Sequence, residues 1–369
     1  MNRNLAIIGA SYLQLPLIEK AKEMGYTTHV FAWAANDVGE KVADFFYPIS
    51  ITEADAITAK CREIGICGIC SIATDLGNYT VNYVADKLGL PGNTMRCTRM
   101  STNKHLMRQA FERGGDPSPK SVMVDESTDL SALRFDYPIL VKPTDRSGSR
   151  GIFKLEGPDG LENAVKAAIG AGFEKKALIE EFAEGQEYSV EGISFNGVHH
   201  ILAMTLKYTT GAPHFIETGH LEPAPVSEEL FEKVKAVVLH ALDTLEVKNS
   251  ASHSEIKIDG KGNIRIIEIG SRMGGDAIGT DLVYYSTGID FVRAVIDVAC
   301  GREPDLQPVR EGCPAETRFI LTEEDLREFE RMQAEEADRI LRIVDDKHPD
   351  LIGKTTNSAD RAGCYVVKV

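Results

Sequence analysis

Positive charge is in short supply in this sequence. Its 369 residues include 41 Lys and Arg against 56 Asp and Glu, which gives a formal net charge of −15. A surface this acidic repels a phosphate backbone, so nucleic acid is not expected as a partner. A local cluster of Lys side chains and backbone N–H groups can still bind a nucleotide.

Long apolar runs are missing as well. No stretch approaches about eighteen consecutive apolar residues, so we expect neither a membrane-spanning helix nor a membrane partner. The apolar start of the chain is short and leads into a charged helical segment, which argues against a signal peptide. We therefore expect a cytoplasmic protein.

Cysteines are few and scattered. Their number, seven, is odd, and their spacing argues for reduced thiols rather than a disulfide framework. Cys67 and Cys70 spell CxxC, but they lie in the run IGICGICSI, which is typical of a buried strand. Since no second CxxC or His pair follows at zinc spacing, buried small side chains are the simpler interpretation, and a redox or metal pair is the alternative.

The glycine fingerprint of dinucleotide-binding proteins is incomplete. In the first turn, Gly9 is followed by Ser11 and Gln14 where the fingerprint requires glycines, and Trp33 lies near the end of the second strand, where an acid is required. An NAD(P)-dependent oxidoreductase is therefore disfavoured. The turn can still face a ligand, as turns at strand ends often do.

The pattern of apolar residues predicts an α/β unit followed by α+β units. Strands and helices alternate over residues 1–95, which indicates a parallel, Rossmann-like lobe. Residues 96–300 begin with a helical stretch that stops at Gly114-Gly115. A small lobe over about 121–182 and a strand-rich region follow. Residues 301–369 form a smaller tail.

Three local expectations follow from the same pattern. The run at 65–72 predicts a strand, FIETGHLEPAP predicts a loop, and the charged segment Glu323–Val344 predicts one helix.

The segment YPILVKPTDRSGSRGI is the first that suggests chemistry. A buried strand delivers Lys142, whose point charge suits phosphate oxygens. Gly148 and Gly151, flanked by Ser147 and Ser149, would let backbone N–H groups approach those oxygens. The Walker A pattern is absent, and an ordinary surface loop is the alternative.

The segment LIEEFAEGQEYSVEG joins two strands through a turn at Glu184-Gly185. A nucleotide base can read the exposed backbone of such a hinge, and the carboxylate of Glu187 can accept from ribose hydroxyls. The alternative is a solvated acidic hairpin.

The hairpin SHSEIKIDGKGNIRIIEIG carries two glutamates, Glu255 and Glu268, that fall opposite each other. The Cβ atoms of directly opposed residues lie about 4.5–5.5 Å apart. Two carboxylates in such positions repel each other unless one is protonated or a cation lies between them. Mg²⁺ is the expected ion, because it prefers oxygen ligands and is also held by phosphates. A register slip that turns one glutamate to solvent is the alternative.

Beyond the second glutamate the chain reads Arg272-Met-Gly274-Gly275-Asp276. Arginine can stabilise charge on a transferring phosphoryl group, and glycines allow close backbone approach to an anion. Asp276 would either hold a substrate ammonium or cap the following helix.

Taken in order, these motifs resemble the ATP-grasp superfamily. The ordered set is Lys104, YPILVKP with Lys142, LIEEF with Glu187, HSE with Glu255 and IEIGSR with Glu268. Each motif is loose, but five in this order are specific, and the likeness covers roughly residues 1–300. The hairpin followed by Arg and Gly-Gly is most similar to the amino-acid and carbamoyl-phosphate-synthase-like ligases.

The resemblance implies a fold and a set of roles. The fold would be a Rossmann-like pre-ATP-grasp domain (1–95), a two-lobed ATP-grasp domain (96–300, with a mobile small lobe about 121–182) and a small C-terminal lobe (301–369). Lys104 and Lys142 would contact ATP phosphates under the loop Ser147, Gly148, Ser149 and Gly151. Glu180, Glu181 and Phe182 would meet adenine, Glu187 the ribose, Glu255 and Glu268 the Mg²⁺ (or Mn²⁺), and Arg272 the acyl phosphate.

The implied activity is an ADP-forming carboxylate–amine ligase, with small-molecule carboxylate and amine substrates. One departure concerns Gly270, where many members of the superfamily have an Asn that binds metal. This leaves the number of metal ions open. A non-catalytic ATP-binding regulatory module is the competing hypothesis, but the intact Lys, Glu and Arg set argues against it.

A further set of residues is assigned to the acceptor pocket. Its candidates are His220, His253, Gly274, Gly275 and Asp276. A His in a Gly/Pro-rich loop usually lies at the surface, and His253 either supports the metal or simply packs. The tail is expected to close the active site or to mediate a homodimer.

Overall fold

The computed structural model describes residues 3–146, 150–212, 215–355 and 357–369, and their strands form three sheets. The predicted loop residues Ser147, Gly148 and Ser149 lie outside these ranges. No helix in the described ranges is long and apolar enough to cross a membrane.

The N-terminal lobe is a parallel α/β unit, as predicted. Its elements are β1 (Asn4–Ile8), α1 (Leu15–Glu23), β2 (Thr27–Phe31), α2 (Val38–Val42), β3 (Phe45–Tyr47), α3 (Ala54–Ile64), β4 (Gly68–Cys70) and α4 (Asp75–Leu88). The four strands pair in parallel in the order β3-β2-β1-β4. The strand predicted over 65–72 is shorter, because only Gly68–Cys70 pair with β1.

Two helices, α5 (Met95–Met100) and α6 (Lys104–Gly114), occupy the next stretch. The side chain of Asn103 accepts a hydrogen bond from the Leu106 N–H and caps α6, so this helix begins at Lys104. Gly115 follows with φ 77°, a left-handed conformation that ends the helix at the predicted glycine pair.

The small lobe is an antiparallel sheet covered by one helix. It contains β5 (Ser121–Val124), β6 (Ile139–Pro143), β7 (Phe153–Leu155), α7 (Leu161–Ala171) and β8 (Ala177–Glu181), with strand order β5-β8-β6-β7. Val141 and Ile179 on the sheet pack against Val165 and Ala168 of α7, and all four are buried. This small core holds β6, the strand that carries Lys142.

The third sheet is antiparallel and has eight strands. The remaining elements are β9 (Gln186–Phe195), β10 (Val198–Thr209), β11 (Glu217–Glu222), α8 (Glu228–Thr244), β12 (Ser250–Ile258), β13 (Ile264–Gly270), α9 (Val283–Thr287), α10 (Phe291–Ala299), β14 (Ala315–Phe319), α11 (Glu323–Glu335), β15 (Ile340–Asp345) and β16 (Cys364–Lys368). The strand order is β13-β12-β9-β10-β11-β14-β16-β15, so strands of the tail continue the same sheet.

Two local predictions were wrong in this region. The expected loop FIETGHLEPAP contains β11, which pairs with β10 on one side and β14 on the other. The helix expected over Glu323–Val344 ends at Glu335. Residues 340–345 form β15 instead, because pairing with β16 outweighs helical propensity.

Helix α10 joins the N-terminal lobe to the large sheet. It packs against α1 and β4 on one side and against β9 and β12 on the other. Ile7, Ile18, Ile296 and Met273 belong to one buried apolar cluster. The N-terminal lobe is therefore held next to the chain segment that follows β13.

Candidate functional site

One cleft lies between the small sheet and the hairpin of β12 and β13. It encloses about 1080 Å³ of space free of protein atoms, part of it open to solvent. Predicted site residues that line it are Lys104, Lys142, Glu180, Phe182, Glu187, His253, Glu255, Glu268 and Arg272.

The two glutamates of the hairpin face this cleft from opposed positions. Glu255 pairs with Glu268 in the register of β12 and β13, and the register shifts immediately after Glu255. Lys207 Nζ lies 2.6 Å from the Glu255 carboxylate and Lys104 Nζ lies 2.9 Å from that of Glu268. Each carboxylate thus faces an ammonium group, as the repulsion between them requires. Their role as metal ligands stays a prediction.

Lys207, on β10, is a site residue that the sequence did not reveal. It is 3% exposed, and three carboxylates share it: Glu255 at 2.6 Å, Glu187 at 3.3 Å and Glu217 at 3.6 Å. Burial disfavours the charged ammonium, but Glu255 and then the other two carboxylates outweigh it and raise the pKa of Lys207 well above its ordinary value. Negative charge therefore exceeds positive charge around this lysine.

The charge balance is reversed around Lys142. Its ammonium group contacts the carboxylate of Glu180, which also accepts from Arg108 Nε at 3.3 Å, and all three side chains are buried. Burial and the repulsion by Arg108 lower the pKa of Lys142 from its ordinary value. Two cations and one carboxylate leave an excess positive charge where an anion can bind.

Arg272 bridges the N-terminal lobe and the hairpin. Its Nε donates to Asp75 Oδ1 at 2.7 Å, and Asp75 is the first residue of α4, which Thr74 caps. Burial opposes ionisation of Asp75, but the Arg272 guanidinium outweighs it and lowers the pKa of that carboxyl. A Cβ at Gly270 would lie 3.3 Å from the guanidinium carbon of Arg272. The glycine therefore leaves the space that the guanidinium group occupies.

His253 is held from behind by a buried carboxylate. Its Nδ1 lies 2.5 Å from Glu191 Oε1, and Glu191 is fully buried on β9. Burial lowers the pKa of His253, but Glu191 outweighs this and raises it to about 9. A Cβ at Gly274 would lie 2.6 Å from this imidazole, so only glycine fits there.

The remaining acceptor candidates lie beside the cleft. His220 is 1% exposed on β11, so the expectation of a surface loop position is wrong. Asp276 caps no helix. Instead it accepts from Arg361 Nη1 at 2.8 Å and lies 3.8 Å from His220 Nε2. Arg361 also binds Glu217 at 2.7 Å, which connects the tail to the cleft wall.

A second depression lies at the N-terminal lobe. Gly274, Gly275 and Asp276 line it together with Tyr12 and Arg342. The sequence had placed these residues in the acceptor pocket, but no signal in it pointed to Arg342 or Arg361.

The part of the cleft near Phe182 is aromatic. The rings of Phe182 and Phe215 lie 6.4 Å apart, and Lys154 and Lys257 place their ammonium groups 4.2 and 5.0 Å from the Phe182 ring. The predicted residues Glu181 and Gly151 do not line the cleft. Glu181 accepts from the Lys120 N–H instead, and Gly151, at φ 71°, packs near Pro143 and Ala171.

Known proteins resemble this chain in sequence. Residues 135–281 match the model of the ATP-grasp domain family. Alanine–anticapsin ligase of Bacillus subtilis (strain 168) is 26% identical over 306 residues, which cover 73% of this chain and 64% of that protein. Mouse carnosine synthase 1 is 24% identical over 82% of this chain and 40% of its own. The chain thus spans less than two thirds of the length of these relatives.

Solved structures match over nearly the whole chain. An L-amino acid ligase from Bacillus licheniformis superposes with a TM-score of 0.83 at 23% identity, over 99% of this chain and 93% of that one. A phosphoribosylglycinamide synthetase from Anaerococcus prevotii gives 0.78 at 22% identity, over 100% and 94%. The predicted fold class is confirmed, while the domain boundaries stay predictions.

Proposed function

The chain contains an ATP-grasp domain, and we propose that the protein is an ATP-dependent, ADP-forming carboxylate–amine ligase. The observation that carries the proposal is the cleft itself. It places an excess positive charge at Lys142, two opposed carboxylates at Glu255 and Glu268, and an arginine, Arg272, along one wall. The names of its relatives, alanine–anticapsin ligase and carnosine synthase among them, support an amino acid or another small organic acid as substrate.

The nucleotide would lie with its base between the aromatic and cationic side chains near Phe182. Stacking on a ring and the nearby ammonium groups of Lys154 and Lys257 suit a nucleobase. Glu187 at the cleft wall can accept from ribose hydroxyls. Lys142, with Arg108 behind it, would then meet the phosphates.

The residues present fit a Mg²⁺ ion (with Mn²⁺ as the alternative) that substrate phosphates help to hold. The donor set is two carboxylates on neighbouring strands, and the described ranges contain no group of three or more His, Cys, Asp or Glu that could hold a metal unaided. Bound Mg²⁺ would neutralise the charge between Glu255, Glu268 and the phosphate oxygens. Lys104, which now faces Glu268, would become available to the phosphates.

The proposed chemistry has two steps. A substrate carboxylate oxygen attacks the γ-phosphorus of ATP, and ADP leaves. The amine nitrogen then attacks the acyl carbon, phosphate leaves, and the amine loses a proton. Arg272, oriented by Asp75, would stabilise the charge on the transferring phosphoryl group and on the acyl phosphate.

The acceptor end would be the region of His220, His253, Gly274, Gly275 and Asp276. Asp276 and Glu217 share Arg361 there, so carboxylates and a guanidinium are both within reach of a substrate that carries an ammonium and a carboxylate group. This charge pattern supports an amino acid at this end.

The test is product formation by the purified chain. Incubation with Mg-ATP and a panel of amino acids and small organic acids, offered singly and in pairs, should release ADP and phosphate above the rate with ATP alone, and mass spectrometry should detect the ligated product. Nucleotide binding without turnover across the panel would favour the regulatory module instead. The homodimer predicted from the sequence stays a prediction, which light scattering of the same sample would check.

A further inference from the structure

Two half-buried cysteines lie together away from the cleft. Cys67 precedes β4 in the N-terminal lobe and Cys300 follows the last residue of α10. Their sulfur atoms are 4.0 Å apart, although 233 positions separate them in the sequence. Among the hydrogen bonds of the described residues, no other pair of thiols comes this close.

This contact differs from the one that the CxxC motif suggests. Cys70 is 3% exposed on the core side of β4, and the thiol contact of Cys67 is made with Cys300. The backbones of the two segments are held tightly together, because a Cβ at Gly68 would lie 2.6 Å from the Ala299 carbonyl oxygen and 2.9 Å from the Cys300 sulfur. The proximity of the thiols is therefore built into the packing of β4 against α10.

The surroundings favour the thiolate form of Cys300. The Cys67 thiol, and further the Tyr26 hydroxyl and the Arg302 guanidinium, lower the pKa of Cys300 to about 7 in spite of its burial. Arg302 is itself held by Asp297 and lies 5.6 Å from the centre of the Tyr26 ring. A thiolate beside a neutral thiol is the arrangement from which disulfides form.

We propose that Cys67 and Cys300 form an intramolecular disulfide when the protein meets a peroxide. The thiolate of Cys300 attacks one peroxide oxygen, the O–O bond breaks, and hydroxide leaves, which gives a sulfenic acid. The sulfur of Cys67 then attacks the Cys300 sulfur, the S–O bond breaks, and the thiol proton leaves with the hydroxyl as water. In total, two thiols are oxidised and one hydrogen peroxide is reduced to two waters.

The sulfur atoms would have to approach by about 2 Å to reach the length of a disulfide bond. The bond would connect two segments that are close in sequence to residues of the cleft: β4 leads to Asp75, and α10 follows the segment that carries Arg272. Oxidation would thus fix the N-terminal lobe to the helix that joins it to the large sheet.

The test is thiol mapping of the full chain. Reduced protein is treated with hydrogen peroxide, unreacted thiols are blocked with N-ethylmaleimide, and the intact mass is compared with that of untreated protein. We expect two fewer blocked thiols per chain and their return after dithiothreitol. Digestion with trypsin without reductant should give peptide 63–87 joined to peptide 294–302.

Variants identify the pair. Cys67→Ser and Cys300→Ser should each abolish the joined peptide, whereas Cys70→Ser, in the same peptide, and Cys313→Ser, a half-buried matched control, should retain it. A bond within peptide 63–87, a bond between chains on a non-reducing gel, separate sulfinic acids or no loss of thiols would each overturn the proposal. The mapping of the unaltered chain decides the question even if a variant folds poorly.

Discussion

Two groups of buried charges near the cleft differ in the sign of their unbalanced charge. Around Lys142, two cations share one carboxylate, and around Lys207, three carboxylates share one lysine. The first environment suits a phosphate and the second suits a cation. A chain with a net charge of −15 can therefore bind an anionic nucleotide, because the relevant field is that of a few buried groups rather than of the whole surface.

The largest effect is expected from removing the charge of Glu268, one of the two proposed metal ligands. Glu268→Gln keeps the size of the side chain but removes half of the opposed pair, so we expect ADP formation to fall by about 10³-fold or more with the fold intact. Steady-state ADP release measures the loss of activity, and circular dichroism measures whether the fold is intact. Glu229→Gln, on the exposed face of α8, is the matched control, and a fully active Glu268→Gln enzyme would remove the basis of the metal site.

The next prediction compares the two lysines directly. Lys207→Met removes the ammonium group that Glu255 and Glu187 share and leaves Glu217 with Arg361, so we expect a loss of about 3 kcal/mol of unfolding free energy, partly recovered in millimolar Mg²⁺. Lys142→Met leaves Glu180 paired with Arg108, so stability should change less while ATP binding weakens by roughly 10-fold or more.

Urea unfolding followed by circular dichroism, with and without Mg²⁺, measures the stability of both variants. Titration with a fluorescent ATP analogue measures their affinity for the nucleotide. Equal losses of stability in the two variants would contradict the opposite charge balance around Lys142 and Lys207. Lys233→Met, on an exposed helix surface, controls for loss of a lysine as such.

The sequence predicted the local features of this site better than it predicted the charge balance. The opposition of Glu255 and Glu268 follows from one hairpin turn and a period of two, so the register could be predicted. Lys207 meets Glu255 across 48 positions and Arg108 meets Glu180 across 72, and no local pattern encodes such contacts. The strand β11 was missed for the same reason, because its partners β10 and β14 lie on either side of it only in the folded sheet.

Glu222 is a carboxylate outside the cleft lining, and its described contacts are with hydroxyl groups and not with a cation. It is fully buried, and it accepts from Thr205 at 2.6 Å and from Ser286 at 2.5 Å. Burial raises its pKa from 4.5 to about 7. The folded chain therefore binds a proton that the unfolded chain has released, so this group's contribution to stability is complete below pH 4.5 and is lost as pH rises towards 7 and above.

Glu222→Gln removes that dependence. Relative to the unaltered chain, the variant should gain stability as pH rises from 5 to 8, by about 2–3 kcal/mol in the difference between the two proteins. Urea unfolding at both pH values measures it, with Glu229→Gln as the control on an exposed surface. A difference that is constant with pH would mean that Glu222 is already ionised in the folded protein at pH 5.

The smallest effect is expected where this chain departs from the family pattern. Gly270→Asn introduces the asparagine of the family pattern and adds an oxygen two residues after Glu268, a proposed metal ligand, but its Cβ would lie 3.3 Å from the Arg272 guanidinium carbon and 3.4 Å from Nε. We expect the arginine to shift away from Asp75 and ADP formation to fall by about 10-fold, while ATP binding changes little.

Gly270→Ala separates the effect of the Cβ from that of the added oxygen, because it adds the same Cβ without the amide. If Asn raises activity and Ala lowers it, then the metal site lacks a ligand that the chain can accommodate. If both lower it alike, then Gly270 serves the position of Arg272.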